Sequence, residues 1–174
     1  MIDLKSSIRS IPNFPIEHIT FRDITTLMQD PDAFREANDR FYERYKDQKI
    51  DKVVGIDARG FVFAAVLAYR LNIGFVPVRK KGKLPFKTIS EKYTLEYGNA
   101  EVEIHADAIK KGERVVVIDD LIATGGTIGA AVNLVERLGG EVVECAFVIE
   151  LVELKGREYI KKQKVFSLVE FEGE

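Results

Sequence analysis

Two apolar runs, Val53-Val54-Gly55-Ile56 and Val115-Val116-Val117-Ile118, each end on an aspartate and lead into a stretch with apolar residues at helical spacing. Runs of that length without polar alternation predict strands buried on both faces. Lys52 to Asp57 reads as a strand, about Gly60 to Leu71 as a helix, and Gly74 to Val78 as a second strand. Arg114 to Asp119, a helix from about Gly126 to Leu138 stopped by Gly139-Gly140, and Glu141 to Glu150 repeat the scheme. Upstream, Asp30-Pro31 marks a helix start, and Phe34, Ala37, Phe41 and Tyr45 recur at helical spacing up to about Asp47. Alternating strands and helices predict an α/β fold with a parallel twisted sheet flanked by helices.

Two stretches fall outside this scheme. Met1 to Ile11 reads as a short amphipathic helix, and Pro12-Asn13-Phe14-Pro15 then forces extended or turned backbone, so residues 12 to 25 read as an ordered loop. Gly82 to Gly98 is polar and too long for a routine connection. It reads as a lid, part of it a protruding hairpin in which Tyr93 to Tyr97 pairs with Val102 to Ile104. With no internal repeat and no linker, residues 1–174 are expected to form one domain.

Composition narrows the ligand. Twenty-six Lys and Arg against 28 Asp and Glu give a net charge of -2, so no global field draws the chain to nucleic acid or to an anionic membrane. A polyanion must be held by local groups. The single cysteine, Cys145, excludes an internal disulfide and offers no zinc spacing, and the charged stretch MIDLKSSIRS is unlike a signal peptide; a cytoplasmic setting is expected.

The chemistry concentrates in Asp119-Asp120-Leu121-Ile122-Ala123-Thr124-Gly125-Gly126-Thr127. In open parallel sheets, ligands sit beyond the carboxyl ends of the strands, where these aspartates fall. Gly125 and Gly126 let successive N–H groups turn inward at the amino end of a helix, and with the Thr124 and Thr127 hydroxyls they suit a phosphate monoester. Carboxylates repel phosphate, so Asp119 and Asp120 must face hydroxyls or a cation. A ribose 5-phosphate satisfies both halves. The P-loop pattern is absent, since Lys83 is followed by Leu84, and no G-x-G-x-x-G follows a strand. At the other strand end, Asp57-Ala58-Arg59-Gly60 offers a second anion site with a guanidinium suited to bidentate phosphate bonds.

The run from Val116 to Thr127 resembles the signature for 5-phosphoribosyl-1-pyrophosphate in type I phosphoribosyltransferases. Phe21-Arg22-Asp23-Ile24-Thr25, Gly55 to Phe61, Arg79 to Pro85 and Leu95-Glu96-Tyr97-Gly98 occur in the order seen in the adenine-specific members. That resemblance implies transfer of the phosphoribosyl group to adenine, giving AMP and pyrophosphate with Mg²⁺, by a homodimer. It implies that Ala123 to Thr127, Asp119 and Asp120 bind the donor, with Arg59, Arg79 and Lys83 on its pyrophosphate. Residues 1–30 would supply the base-binding segment, with Phe21, Arg22 and Leu121 at adenine, although Phe21 and Leu121 read alone suit core packing better. Glu96 would be the general base and, with Arg59, the catalytic pair; Tyr97 belongs to the lid over 82–98. The Mg²⁺ would bridge substrate oxygens, with no dedicated protein metal site.

One segment departs from the relatives, which commonly carry Pro-Gly before the Phe-Arg-Asp-Ile segment, whereas this chain reads Glu17-His18. Loss of that glycine is expected to alter the turn that presents the base-reading backbone. Two other readings stand beside adenine transfer. A 6-oxopurine enzyme would need a donor for the 6-oxygen, often a lysine after the paired aspartates, where this chain has Leu121-Ile122. A donor-sensing regulator that binds DNA would keep the fold without needing Glu96.

Overall fold

The computed structural model describes residues 2–95 and 98–172. A small hairpin of β1 (Arg9–Pro12) and β2 (Thr20–Asp23) precedes the helices α1 (Thr25–Gln29) and α2 (Pro31–Tyr45). The main sheet then collects β3 (Lys52–Ile56), β4 (Gly74–Lys80), β5 (Thr88–Leu95), β6 (Gly98–His105), β7 (Arg114–Ile122), β8 (Glu141–Leu151) and β9 (Val165–Phe171). Helix α3 (Arg59–Leu71) joins β3 to β4, α4 (Gly126–Arg137) joins β7 to β8, and a single turn, α5 (Gly156–Tyr159), follows β8.

The spatial order is β5-β6-β4-β3-β7-β8-β9. Strands β4, β3, β7, β8 and β9 run parallel, while β6 pairs antiparallel with both β4 and β5. The fully apolar strands explain this arrangement, because alternate residues of β7 feed two separate cores. Val116 and Ile118 pack with Phe41, Phe63 and Leu67 of α2 and α3. Val115 and Val117 pack with Ile128, Ala131 and Leu134 of α4 on the other face. Asp30 starts α2 by accepting the N–H groups of Asp32 and Ala33, as an N-cap should.

The expected N-terminal helix does not form. Asp3 captures the local donors instead: its side chain accepts the Lys5 N–H at 3.0 Å, and its carbonyl accepts the Ser6 hydroxyl at 2.8 Å. Such side-chain bonds favour a turn over a helix. Arg9 to Pro12 then pairs with Thr20 to Asp23, so the segment expected to be a loop over 12 to 25 contains β2 and the start of α1. The stretch from Gly82 is strand from Thr88 onward, because β5 and β6 pair over eight residue positions and extend the sheet edge; the register differs from the expected one, with Ile89 to Glu91 opposite Val102 to Ile104 and Tyr93 opposite Ala100.

Candidate active site

Strand β3 leaves through α3 toward β4 on one side, whereas its neighbour β7 leaves through α4 toward β8 on the other. The two loops therefore diverge and open a crevice between them, where ligands bind in sheets of this kind. A cavity of about 380 Å³ occupies it, lined by Asp57 to Arg59, Lys80, Tyr93 and the whole run from Asp119 to Ile128. The expected phosphate loop and the expected second anion loop thus face one space.

Within it the two aspartates differ. Asp120 is buried and accepts Arg59 Nε through Oδ2 at 2.5 Å. Asp119 Oδ1 accepts the Asp120 N–H at 2.8 Å. Burial, and then the adjacent Asp120 carboxylate, push the Asp119 carboxyl well above the usual range. A carboxylate under such strain gains from hydroxyl donors or a cation. Gly125 stands in the left-handed region at φ 89°, turning the chain so that α4 begins at Gly126, and Gly125 to Ile128 line the cavity. Segment 156–159 packs behind this loop, with Gly156 close against the Ala123 carbonyl.

Of the basic residues at the end of β4, Arg79 donates Nε to Asp57 Oδ2 at 2.8 Å and an Nη1 hydrogen to the Lys83 carbonyl at 3.3 Å. Lys83, expected on the pyrophosphate, is exposed on the turn, and of the four cations Arg79, Lys80, Lys81 and Lys83 it is Lys80 that lines the cavity. Tyr93, read only as part of a hairpin, also lines it. A Cβ on Gly126 would meet the Tyr93 ring and the Thr94 carbonyl at 3.3 Å, so β5 lies directly over the start of α4. Arg137 of α4 fastens the hairpin by donating to the Ser90 carbonyl and to Glu91 at 2.7 and 2.9 Å. Glu96 and Tyr97 lie outside the described residues.

Leu121 lines the cavity, and Phe21 approaches through Arg59, whose guanidinium lies 5.6 Å over its ring. Phe14 meets the same ring edge-on at 5.4 Å. Arg22 points elsewhere, bonding Ser10 at 2.6 Å and stacking on Phe171. The Glu17-His18 departure is absorbed locally: His18 itself adopts the left-handed conformation at φ 71°, and its N–H donates to Asn13 Oδ1 at 3.1 Å.

One crevice thus gathers the glycine run Ala123 to Thr127, the paired aspartates and the Arg59 loop, the arrangement expected of a phosphoribosyl site. The family "Phosphoribosyl transferase domain" matches residues 23–173. An adenine phosphoribosyltransferase of Desulfosudis oleivorans is 69% identical over 173 residues, covering 99% of this chain and 100% of that one. The crystal structure of adenine phosphoribosyltransferase from Thermoanaerobacter pseudethanolicus superposes with a TM-score of 0.93 at 48% identity, covering 97% and 98% of the two chains. That of Saccharomyces cerevisiae, complexed with an imino-altritol bisphosphate and adenine, gives 0.90 at 42% identity, covering 95% and 96%. The chain belongs to the phosphoribosyltransferases and, within them, to the adenine phosphoribosyltransferase family.

Proposed function

We propose that the chain transfers the 5-phosphoribosyl group of 5-phosphoribosyl-1-pyrophosphate to adenine, forming AMP and pyrophosphate. The observation that carries this reading is the juxtaposition, in one cavity, of the Ala123–Thr127 nest with Asp119, Asp120 and Arg59. The nest takes the 5-phosphate, and the aspartates accept hydrogen bonds from the ribose 2- and 3-hydroxyls. Arg59 and Lys80 face the pyrophosphate, with Arg79 and Lys83 on the adjoining turn. Arg59 and Asp120 satisfy each other across the cavity. The donor exchanges that pair, giving hydroxyls to Asp120 and pyrophosphate oxygens to Arg59, which keeps both charges partnered throughout.

Leu121 supports one face of adenine and Phe21 the other; Arg22 serves this side by holding β2 in place. As the purine nitrogen bonds to the anomeric carbon, the bond to pyrophosphate breaks and its electron pair leaves with pyrophosphate. Positive charge grows on the sugar beside Asp119 and Asp120, and negative charge on the leaving group beside Arg59, so the chain's contribution is electrostatic. Glu96 takes the proton that the purine nitrogen loses.

Among the described residues no three His, Cys, Asp or Glu side chains cluster as a metal cage. The paired carboxylates nonetheless fit a hard cation that takes most of its ligands from substrate, and the raised Asp119 pKa marks where its charge relieves repulsion. Asp119 and Asp120, or Asp57, would hold Mg²⁺, which would supply neutralisation of pyrophosphate oxygens. We place the enzyme in the cytoplasm, where a buried free thiol such as Cys145 stays reduced, and as a homodimer, the habit of its family. Calorimetric titration with donor and Mg²⁺ tests the donor site. Asp119→Asn with Asp120→Asn is expected to weaken binding by roughly tenfold or more, and unchanged affinity would remove the pair from the donor site.

A further inference from the structure

Glu103, in the middle of β6, has 2% of its surface exposed and no place among the groups that line the cavity. A buried carboxylate needs donors. Its Oε1 accepts three successive backbone N–H groups, those of Gly82, Lys83 and Leu84, at 3.0, 3.0 and 2.9 Å. Its Oε2 accepts the Thr88 hydroxyl at 3.2 Å, with Lys81 Nζ at 3.8 Å. Burial raises the pKa of this group, but the N–H groups, Thr88 and Lys81 outweigh it and hold the carboxyl below its usual range. Three converging N–H groups make a nest for an anion, and here the chain fills it with its own carboxylate.

We propose that Glu103 is a positioning residue for the pyrophosphate end of the donor site. The turn it knots is the one that carries Lys83, and the Lys83 carbonyl accepts Arg79, which in turn donates to Asp57 in the cavity wall. The Lys83 N–H side is fixed as well, through a bond to the Lys80 carbonyl at 3.2 Å, and Lys80 lines the cavity. One buried carboxylate on the hairpin thereby sets the placement of three cations and an aspartate on the neighbouring loop. The same strand pair leads into the β5 segment that covers the start of α4, so Glu103 couples hairpin and donor loop mechanically. This assignment rests on the donor reading of the cavity.

The test compares wild type, Glu103→Ala and Glu103→Gln in steady-state AMP synthesis with Mg²⁺, varying donor and adenine separately. The amide of Glu103→Gln keeps an acceptor oxygen for the three N–H groups, whereas Glu103→Ala leaves them unpaired. Glu103→Ala is expected to raise the donor KM by roughly tenfold, the scale of one hydrogen-bond set to a charged group, with the adenine KM unchanged. Glu103→Gln should return the donor KM to within about threefold of wild type. If Glu103→Ala does not fold, Thr88→Val, which removes one donor from Oε2, should raise the donor KM alone by a smaller factor. Wild-type turnover together with a donor KM unmoved in the folded variants, or a fall in kcat with both KM values constant, overturns the positioning role. Absence of wild-type turnover would instead refute the donor reading itself.

Discussion

Gly60 is where the two anion loops touch, and adding one methyl group there tests whether they act as one site. A Cβ at Gly60 would lie 2.9 Å from Asp119 Oδ1, 2.9 Å from the Ile118 carbonyl oxygen and 3.0 Å from Asp119 Cα. Comfortable contacts begin near ~3.5 Å, so the start of α3 or the end of β7 must yield by roughly 0.5 Å. The neighbours are backbone and a hydrogen-bonded carboxylate, neither of which swings away cheaply. Overpacking of this kind costs about 1–3 kcal/mol, which for a chain of this size lowers Tm by about 2–12 °C. Misplacement of reacting groups by ~1 Å costs about a hundredfold, so Gly60→Ala is expected to reduce kcat/KM for the donor by about 10–100-fold. Gly74→Ala is the control, because its added Cβ meets only the flexible Lys52 tail at 3.2 Å; it should stay within about twofold of wild type. AMP formation and a thermal melt read both effects. A folded Gly60→Ala enzyme with wild-type kcat/KM would falsify the claim that residues 57–60 and 119–120 form a single site.

Asp119→Asn removes a carboxylate whose ionised form the fold disfavours. An acid with a raised native pKa has its penalty absent below the ordinary value of 3.8 and complete above the native pKa, so wild type loses stability as pH rises through that window. The variant should therefore melt higher than wild type at pH 7, by ~2–4 °C for each kcal/mol relieved, with no gain at pH 3.5; donor binding weakens, and a lower melt at pH 7 would contradict the assignment. Glu96→Gln should leave the melt and donor affinity in place while slowing turnover by roughly 10²–10⁴-fold, as loss of a general base does; equal turnover removes Glu96 from the mechanism. His18→Gly relieves a left-handed non-glycine residue worth about 1–2 kcal/mol against a backbone entropy cost of about 0.5–1 kcal/mol. The melt should hold or rise slightly with the adenine KM unchanged, and a clear rise in that KM would show that the imidazole itself contacts the base side.

The centre of the fold was legible because its strands carry a signal that no exposed strand gives. Val53–Ile56 and Val115–Ile118 are apolar on both faces, and burial on both faces is what the structure shows. The site at their ends followed from the same fact, since Asp57 and Asp119 end runs that could only be buried parallel strands. The edges were not legible in the same way. Met1 to Ile11 carries Leu4 and Ile8 at helical spacing, and both are buried, yet Asp3, Ser6 and Ser7 direct the backbone into a turn. Strand β9 was not singled out, although Phe166, Leu168 and Phe171 pack on one core and Val165 on the other, because half-buried edge strands give a weak pattern.

Glu103 was invisible for a different reason. Its role depends on N–H groups some twenty residues upstream, brought to it by pairing of β4 with β6. A lone glutamate at alternating register in Glu101-Val102-Glu103-Ile104 reads as a solvated position, and only the register reveals that it faces a knot of donors. Lys80 was under-read similarly, since a run of four cations does not say which one the strand end aims into the crevice. Tyr93 required the knowledge that β5 folds over α4.

The central claim is transfer to adenine, and incubating pure protein with Mg²⁺, 5-phosphoribosyl-1-pyrophosphate and one base at a time tests it most directly. Adenine, hypoxanthine, guanine and xanthine are offered separately and nucleotide formation is followed. AMP from adenine, with the 6-oxopurines left unreacted beside the apolar Leu121-Ile122 edge, is the predicted result. Donor binding without turnover of any base would contradict it and leave a sensor in place of an enzyme.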